Sequence, residues 1–171
     1  MVANGVYYEN VTIQTTVSLI GENRDSTVID GSSEGDVIRI EANNTLVSKF
    51  TMRNGGPEWQ DAGIEIAIVD SCAIESCVSE DNRAGLFLHG SCYNSITGCR
   101  FDSNTSGIYF FESPGGPVNY NSANQIQNNI FNANTQYGIE FRHMMPYHYS
   151  NLISGNLISN NGNGISMIMS S

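Results

Sequence analysis

Gly63-Ile64-Glu65-Ile66, Gly85-Leu86-Phe87-Leu88 and Gly107-Ile108-Tyr109-Phe110 repeat one short phrase, a glycine followed by residues that alternate apolar and other. Gly138-Ile139-Glu140-Phe141 and Gly164-Ile165-Ser166-Met167 continue it, and Val37-Ile38-Arg39-Ile40 is an earlier copy without the glycine. The glycines lie 22, 22, 31 and 26 residues apart, a base period of 22 with insertions in two later copies. Strict alternation is the mark of a strand with one buried face. A fixed period of 20–50 residues marks a stacked architecture, in which each repeat buries its apolar face only against its neighbours.

Upstream of these copies, Val11-Thr12-Ile13, Val17-Ser18-Leu19-Ile20 and Thr27-Val28-Ile29 form three apolar beats separated by polar or glycine turns. Three short strands joined by turns make one coil of a three-sided solenoid. Downstream, each echoed phrase is followed by a polar turn and a second strand: Ile74 to Ser79, Ile96 to Phe101, Ile126 to Phe131 and Ile153 to Ile158. Asn82, Asn104, Asn134 and Asn161 recur at one turn of successive coils. Coils stack about 4.8 Å apart, so such amides can hydrogen-bond up and down the column. These asparagines are expected to be structural. The expectation is an all-β, right-handed, single-stranded parallel β-helix of about six to seven coils with three parallel sheets, residues 1–171 forming one domain.

The formal net charge is −10, from 17 acidic against 7 basic residues. Phosphate binding needs clustered Lys and Arg, so nucleic acid and anionic membrane surfaces are disfavoured as partners. No run of about 18 apolar residues suits a transmembrane helix. No signal peptide opens the chain, and the abrupt start fits a segment of a longer secreted solenoid.

The run from Gly5-Val6-Tyr7-Tyr8 through Val17-Ser18-Leu19-Ile20-Gly21 to Thr27-Val28-Ile29-Asp30-Gly31 closely resembles the opening coil of right-handed parallel (pectin-lyase-like) β-helix proteins. The nearest group carries carbohydrate-binding and sugar-hydrolase repeats; it includes the periplasmic copper-maturation protein of nitrous oxide reductase and archaeal and bacterial surface proteins. The resemblance covers nearly the whole chain. It implies the fold strongly and function weakly, because the superfamily mixes lyases, hydrolases, esterases, binders and stalks. The usual capping helix before the first coil is absent from this sequence, and Gly164 to Met169 leaves an open edge. The resemblance therefore implies a setting that is extracellular, cell-surface or periplasmic, with carbohydrate or other copies of the chain, end to end, as partners.

The aspartate-centred phrases of pectin methylesterases and the Gly-His-Gly phrase of polygalacturonases are missing. Pectate lyases bind calcium through aspartates and use a basic residue, but the arginines here are scattered. A glycosidase needs two carboxyls roughly 5–10 Å apart, and Glu112 with Glu140, one coil apart, is the nearest such pair. In the echoed strands one outward column runs Arg39, Glu65, Phe87, Tyr109, Glu140, Ser166, and the next includes His89, Phe111 and Arg142. Phe87, Tyr109 and Phe111, edged by His89, Glu140 and Arg142, form either an exposed aromatic strip for stacking sugar rings or a secondary core under two long loops. Those loops are 112–120 and 143–149; a third excursion, Asn54 to Gln60, is expected at a different corner. His143, Met144, Met145 and His148 offer imidazole and thioether donors suited to copper. The leading expectation is a non-catalytic module for carbohydrate binding or structural spacing. The alternatives are a polysaccharide-active enzyme on the aromatic face and a copper-binding accessory protein.

Cys77 and Cys99 occupy one buried position in adjacent coils, close enough to bridge, but parallel stacking aims both side chains the same way. A ladder of reduced thiols is expected there. Cys72, in register with Asn94, and Cys92 could pair in an oxidising compartment. The sequons at Asn10, Asn43 and Asn104 matter only where glycosylation operates.

Overall fold

The computed structural model describes residues 1–112, 120–144 and 150–169, with the backbone alone placed for His143, Met144 and Met169. The first coil holds β1 (Gly5–Tyr8), β2 (Val11–Ile13) and β3 (Ser18–Ile20), and the second β4 (Thr27–Asp30), β5 (Ile38–Ile40) and β6 (Leu46–Ser48). The third holds β7 (Thr51–Arg53), β8 (Ala62–Ala67) and β9 (Ala73–Glu75), and the fourth β10 (Val78–Glu80), β11 (Ala84–His89) and β12 (Ser95–Thr97). The fifth holds β13 (Arg100–Asp102), β14 (Ser106–Phe111) and β15 (Gln125–Gln127). The sixth holds β16 (Ile130–Asn132), β17 (Tyr137–Met144) and β18 (Leu152–Ser154), and β19 (Leu157–Ser159) and β20 (Asn163–Met169) begin another.

Strands three apart in sequence pair, so the coils build three parallel sheets: β1-β4-β7-β10-β13-β16-β19, then β2-β5-β8-β11-β14-β17-β20, then β3-β6-β9-β12-β15-β18. The echoed phrases form the middle sheet in the expected register, Ile64 beside Leu86 and Leu86 beside Ile108. No helix occurs among the described residues. The interior is columns of like side chains: Ile38, Ile64, Leu86, Ile108 and Ile139 are all buried, as are Ile40, Ile66, Leu88, Phe110 and Phe141. Phe110 stacks on Phe141 at 4.3 Å and Phe101 on Phe131 at 5.1 Å.

The second strands of the repeat differ from the sequence reading. Each is two strands on two sheets, broken at Lys49, Ser76, Gly98, Asn128 and Gly155, all with φ between 55° and 65° except Ser76 at 53°. One residue in the left-handed region turns the chain sharply between short strands. β1 is also a strand, beyond the three apolar beats read from the first coil.

Amide ladders hold three bends. Asn82 N–H donates to Asn104 Oδ1, Asn104 N–H to Asn134 Oδ1 and Asn134 N–H to Asn161 Oδ1, at 2.9–3.0 Å. Cys99, Asn129 and Asn156 form a second column, and Cys72, Asn94, Asn124 and Asn151 a third. On β20, Ile165 and Met167 are exposed, unlike their counterparts in earlier coils.

The four cysteines are unbridged, with Cys72, Cys77 and Cys99 buried and Cys92 half-buried. Cys77 Sγ donates to Glu75 O at 3.4 Å and Cys99 Sγ to Thr97 O at 3.5 Å; the interaction between the two thiols pushes Cys99 well up, as does burial, and lowers Cys77. Burial likewise raises Cys72 and Cys92. Burial keeps a reagent from Cys72, Cys77 and Cys99, so an aromatic disulfide reagent on native protein at pH 8 is expected to titrate at most one thiol quickly, that of Cys92. Four thiols should react in denaturant. Rapid native titration of two or more would contradict the buried ladder.

Candidate functional site

Outward residues of β8, β11, β14 and β17 make the candidate site. Parallel register sets Arg39, Glu65, Phe87, Tyr109, Glu140 and Ser166 in one row across the sheet. His89, Phe111 and Arg142 fall in the next row. Both rows match the columns expected from the alternation.

The strip is not open to solvent. Phe87 is 1% exposed and Tyr109 7%, while Phe111 is half-buried. Trp59, on the longer connection between β7 and β8, packs against two of these rings. Its ring centroid lies 5.0 Å from that of Phe111 and 6.0 Å from that of Phe87. The excursion thus starts at another corner, as expected, but its tip folds back over the face. Ala62 and Ala84 complete this outer apolar cluster. Stacked or edge-on aromatic pairs add roughly 0.5–1.5 kcal/mol each beyond area burial, so Trp59 is docked by only a few kcal/mol.

Polar groups close the row at both ends. At one, Arg39 donates to Glu65 and, at 2.8 Å, to Glu41. Glu65 is buried, and its Oε1 is 3.7 Å from His89 Nδ1. Burial, with the Arg39 charge, lowers the His89 pKa, so this imidazole is neutral at pH 7. At the other end, Ser106 Oγ and Arg142 Nε donate to the two oxygens of Glu140 at 2.8 and 2.6 Å. The Arg142 guanidinium lies 6.0 Å from the Tyr109 ring centre.

Between Trp59 and this second end is a cleft of about 270 Å³ lined by Trp59, Arg83, Tyr109, Phe111, Glu140 and Arg142. That is near the lower limit for small-molecule sites. The Arg83 side chain has no hydrogen bond or ion pair among the described residues. Trp59, Arg83 and Ser106 were absent from the sequence-derived site; the sole tryptophan, sitting in an insertion, was the available signal for the first. Nothing distinguished Arg83 from the other scattered arginines.

Glu112 and Glu140, the candidate carboxyl pair, take different partners. Glu140 reaches back to Ser106, the first residue of β14, whereas Glu112 follows the last and accepts the Asn121 N–H at 3.2 Å in the bend. Of the copper candidates, Met145 and His148 lie outside the described residues, and only the backbone of His143 and Met144 is placed, at the end of β17.

The base of the Trp59 connection rests on a carboxylate. Asp36 Oδ1 accepts the Ala62 N–H at 2.9 Å, and Asp36 faces Arg39 and Asp61. Burial raises its pKa to about 6. The folded chain therefore keeps a proton that the unfolded chain has already released between the ordinary carboxyl range and pH 6. This contribution to stability is full at low pH and lost as pH rises through 6. Asp36→Asn should flatten that part of the profile, changing the difference in unfolding free energy between pH 4 and 7.5 by roughly 2 kcal/mol. Parallel wild-type and variant curves in urea would refute it.

A family profile described as a right handed beta helix region matches residues 3–171. No curated protein and no solved structure gives a significant match.

Proposed function

The chain belongs to the right-handed β-helix family, and on this scaffold we propose that the cleft beside Trp59 is a non-catalytic carbohydrate site. The observation that carries the reading is the lining itself. Three aromatic rings stand beside a carboxylate already oriented by Ser106 and Arg142 and beside the guanidinium of Arg83, unpaired among the described residues. Apolar sugar faces stack on rings, and the charged groups take hydroxyls, forming charge-assisted hydrogen bonds. Such a site implies an extracellular, cell-surface or periplasmic setting.

The test is a glycan array followed by titration calorimetry on any hit. Arg83→Ala and Tyr109→Ala are each expected to weaken binding about tenfold, near 1.4 kcal/mol. Unchanged affinity in both would move the site elsewhere. Release of reducing ends that disappears in Glu140→Gln would replace the reading with an enzyme.

End-to-end association of copies is a second reading, favoured by exposed Ile165 and Met167 on β20 and exposed Val6 and Val17 in the first coil. Light scattering across a concentration series tests it. Growth in mass that Met167→Lys suppresses supports it, and a constant mass removes it.

A further inference from the structure

The connection between β7 and β8 is held at its base and exposed at its tip. Gly55 N–H donates to Asn82 Oδ1 at 2.8 Å, Gly56 N–H to Gly35 O at 2.7 Å, and Ala62 N–H to Asp36 Oδ1 at 2.9 Å. The base is tightly packed: a Cβ on Gly56 would stand 2.2 Å from Asp61 Oδ2 and 2.5 Å from Gly35 N. The tip, residues 57–60, is exposed throughout. Among the described residues its hydrogen bonds stay within the connection, between Glu58 and Asp61, and the Trp59 ring ties it to the sheet.

Two carboxylates are enclosed at that base. Asp61 is 8% exposed and the Asp36 side chain 11%. Facing Asp36 are Arg39 on its own coil, 3.4 Å away, and Asp61 on the connection. Glu34, on the exposed turn before it, shares with Asp36 the lining of an open hollow. Arg39 compensates Asp36 incompletely, because its one guanidinium also serves Glu41, at 2.8 Å, and the buried Glu65. A charge on Asp36 is therefore costly while the connection is closed, in keeping with a pKa that burial raises to about 6. The turn that carries Asp36 is fixed. Asn10 Nδ2 donates to the Glu34 and Asp36 carbonyls at 2.5 and 2.7 Å, and Val37 N–H donates to Ala62 O at 2.9 Å. The connection, with its exposed tip, is the side that can yield.

We infer that residues 54–62 are a pH-sensitive strap, closed over Asp36 while that carboxyl is protonated and loosened when it ionises, carrying Trp59 off Phe87 and Phe111 as it opens. Opening lets water reach both carboxylates and parts Asp61 from Asp36. In the open form Asp36 titrates in the ordinary carboxyl range, so ionisation favours that form. The preference for the closed form is full at low pH and is lost as pH rises through 6. Trp59 also lines the cleft, so that wall of the cleft is in place at acid pH and gives way above it. The strap itself does not depend on what the cleft binds.

Amide hydrogen exchange by NMR on the whole chain, corrected for intrinsic exchange at each pH, reads the opening. Protection of the Gly56 and Ala62 amides is expected to fall roughly fiftyfold between pH 4 and 7.5. At each pH it should be lower than that of Leu86, in β11, and nearly independent of low urea, because a local opening exposes little surface. Asp36→Asn keeps an acceptor for the Ala62 N–H and should abolish the fall. Asp61→Asn removes the facing charge and should shrink the fall, and it decides alone if Asp36→Asn does not fold. Trp59→Gly should lower protection of both amides about tenfold at every pH, since the docked ring is gone. Circular dichroism of each variant confirms the fold. Gly56 and Ala62 amides that match Leu86 in protection and urea dependence open only on global unfolding, which overturns the strap. An undiminished fall in both aspartate variants, or unaltered protection in Trp59→Gly, overturns it too. None of these results bears on sugar binding, which the glycan array decides separately.

Discussion

Asn104→Ala is expected to lower the unfolding free energy by about 4 kcal/mol, the largest loss from any single substitution considered for this chain. Asn104 is fully buried. Its Oδ1 accepts the Asn82 N–H at 3.0 Å, and its Nδ2 donates to Ser79 O at 2.9 Å and to Asn134 Oδ1 at 3.2 Å. Truncation strands the Asn82 N–H and the Ser79 carbonyl in the interior, each costing about 1–3 kcal/mol, and leaves a small void. Asn104→Asp restores the acceptor but not the donors, and it sets a carboxylate against Asn134 Oδ1, so it should rescue little. Gln60→Ala, exposed on the tip beside Trp59, should change stability by less than about 0.5 kcal/mol. Urea unfolding followed by circular dichroism, with the slope held constant, measures all three. A loss below about 1 kcal/mol for Asn104→Ala would show that the ladder does not carry the bend.

Gly107→Ala is expected to cost about 3 kcal/mol by overpacking. A Cβ there would stand 2.5 Å from the Gly138 carbonyl oxygen, 2.7 Å from Phe131 Cδ1 and 3.2 Å from Asn134 Nδ2. The first is backbone of the next coil and the second a stacked core ring, so neither can yield without parting the coils. Gly164→Ala is the matched comparison. Its Cβ would meet only Ile158 Cγ2, at 3.8 Å, so the change should be neutral or slightly stabilising, since alanine restricts the unfolded chain. Equal losses at the two positions would mean that backbone propensity, and not the close approach of coils, explains the repeated glycine.

Asn104 and Gly107 both stand out in the amino-acid order, and the reason is geometric. A solenoid coil touches only its neighbours, so its contacts recur at the sequence period, and a column such as Asn82, Asn104, Asn134 and Asn161 shows as a spacing. The outward rows of the middle sheet are legible for the same reason, because parallel register carries Phe87 to Tyr109 and Tyr109 to Glu140. The break within each second strand is not. It falls at Lys49, Ser76, Gly98, Asn128 and Gly155, which share a backbone conformation but no residue type. Nor is the fate of Glu112, since its position one coil from Glu140 says nothing about its turning into the Asn121 bend.

The parallel β-helix, its period, its buried columns and the set of side chains facing outward all follow from alternation and repetition along one dimension, so the order of residues is enough to dictate them. Three-dimensional packing settles the rest: that Trp59 lies over Phe87 and Phe111, that Arg83 enters the cleft with Glu140 and Arg142, and that the aromatic strip is covered. Where the tip of a non-repeating connection docks depends on its own backbone path and on the rings it meets. No period encodes either.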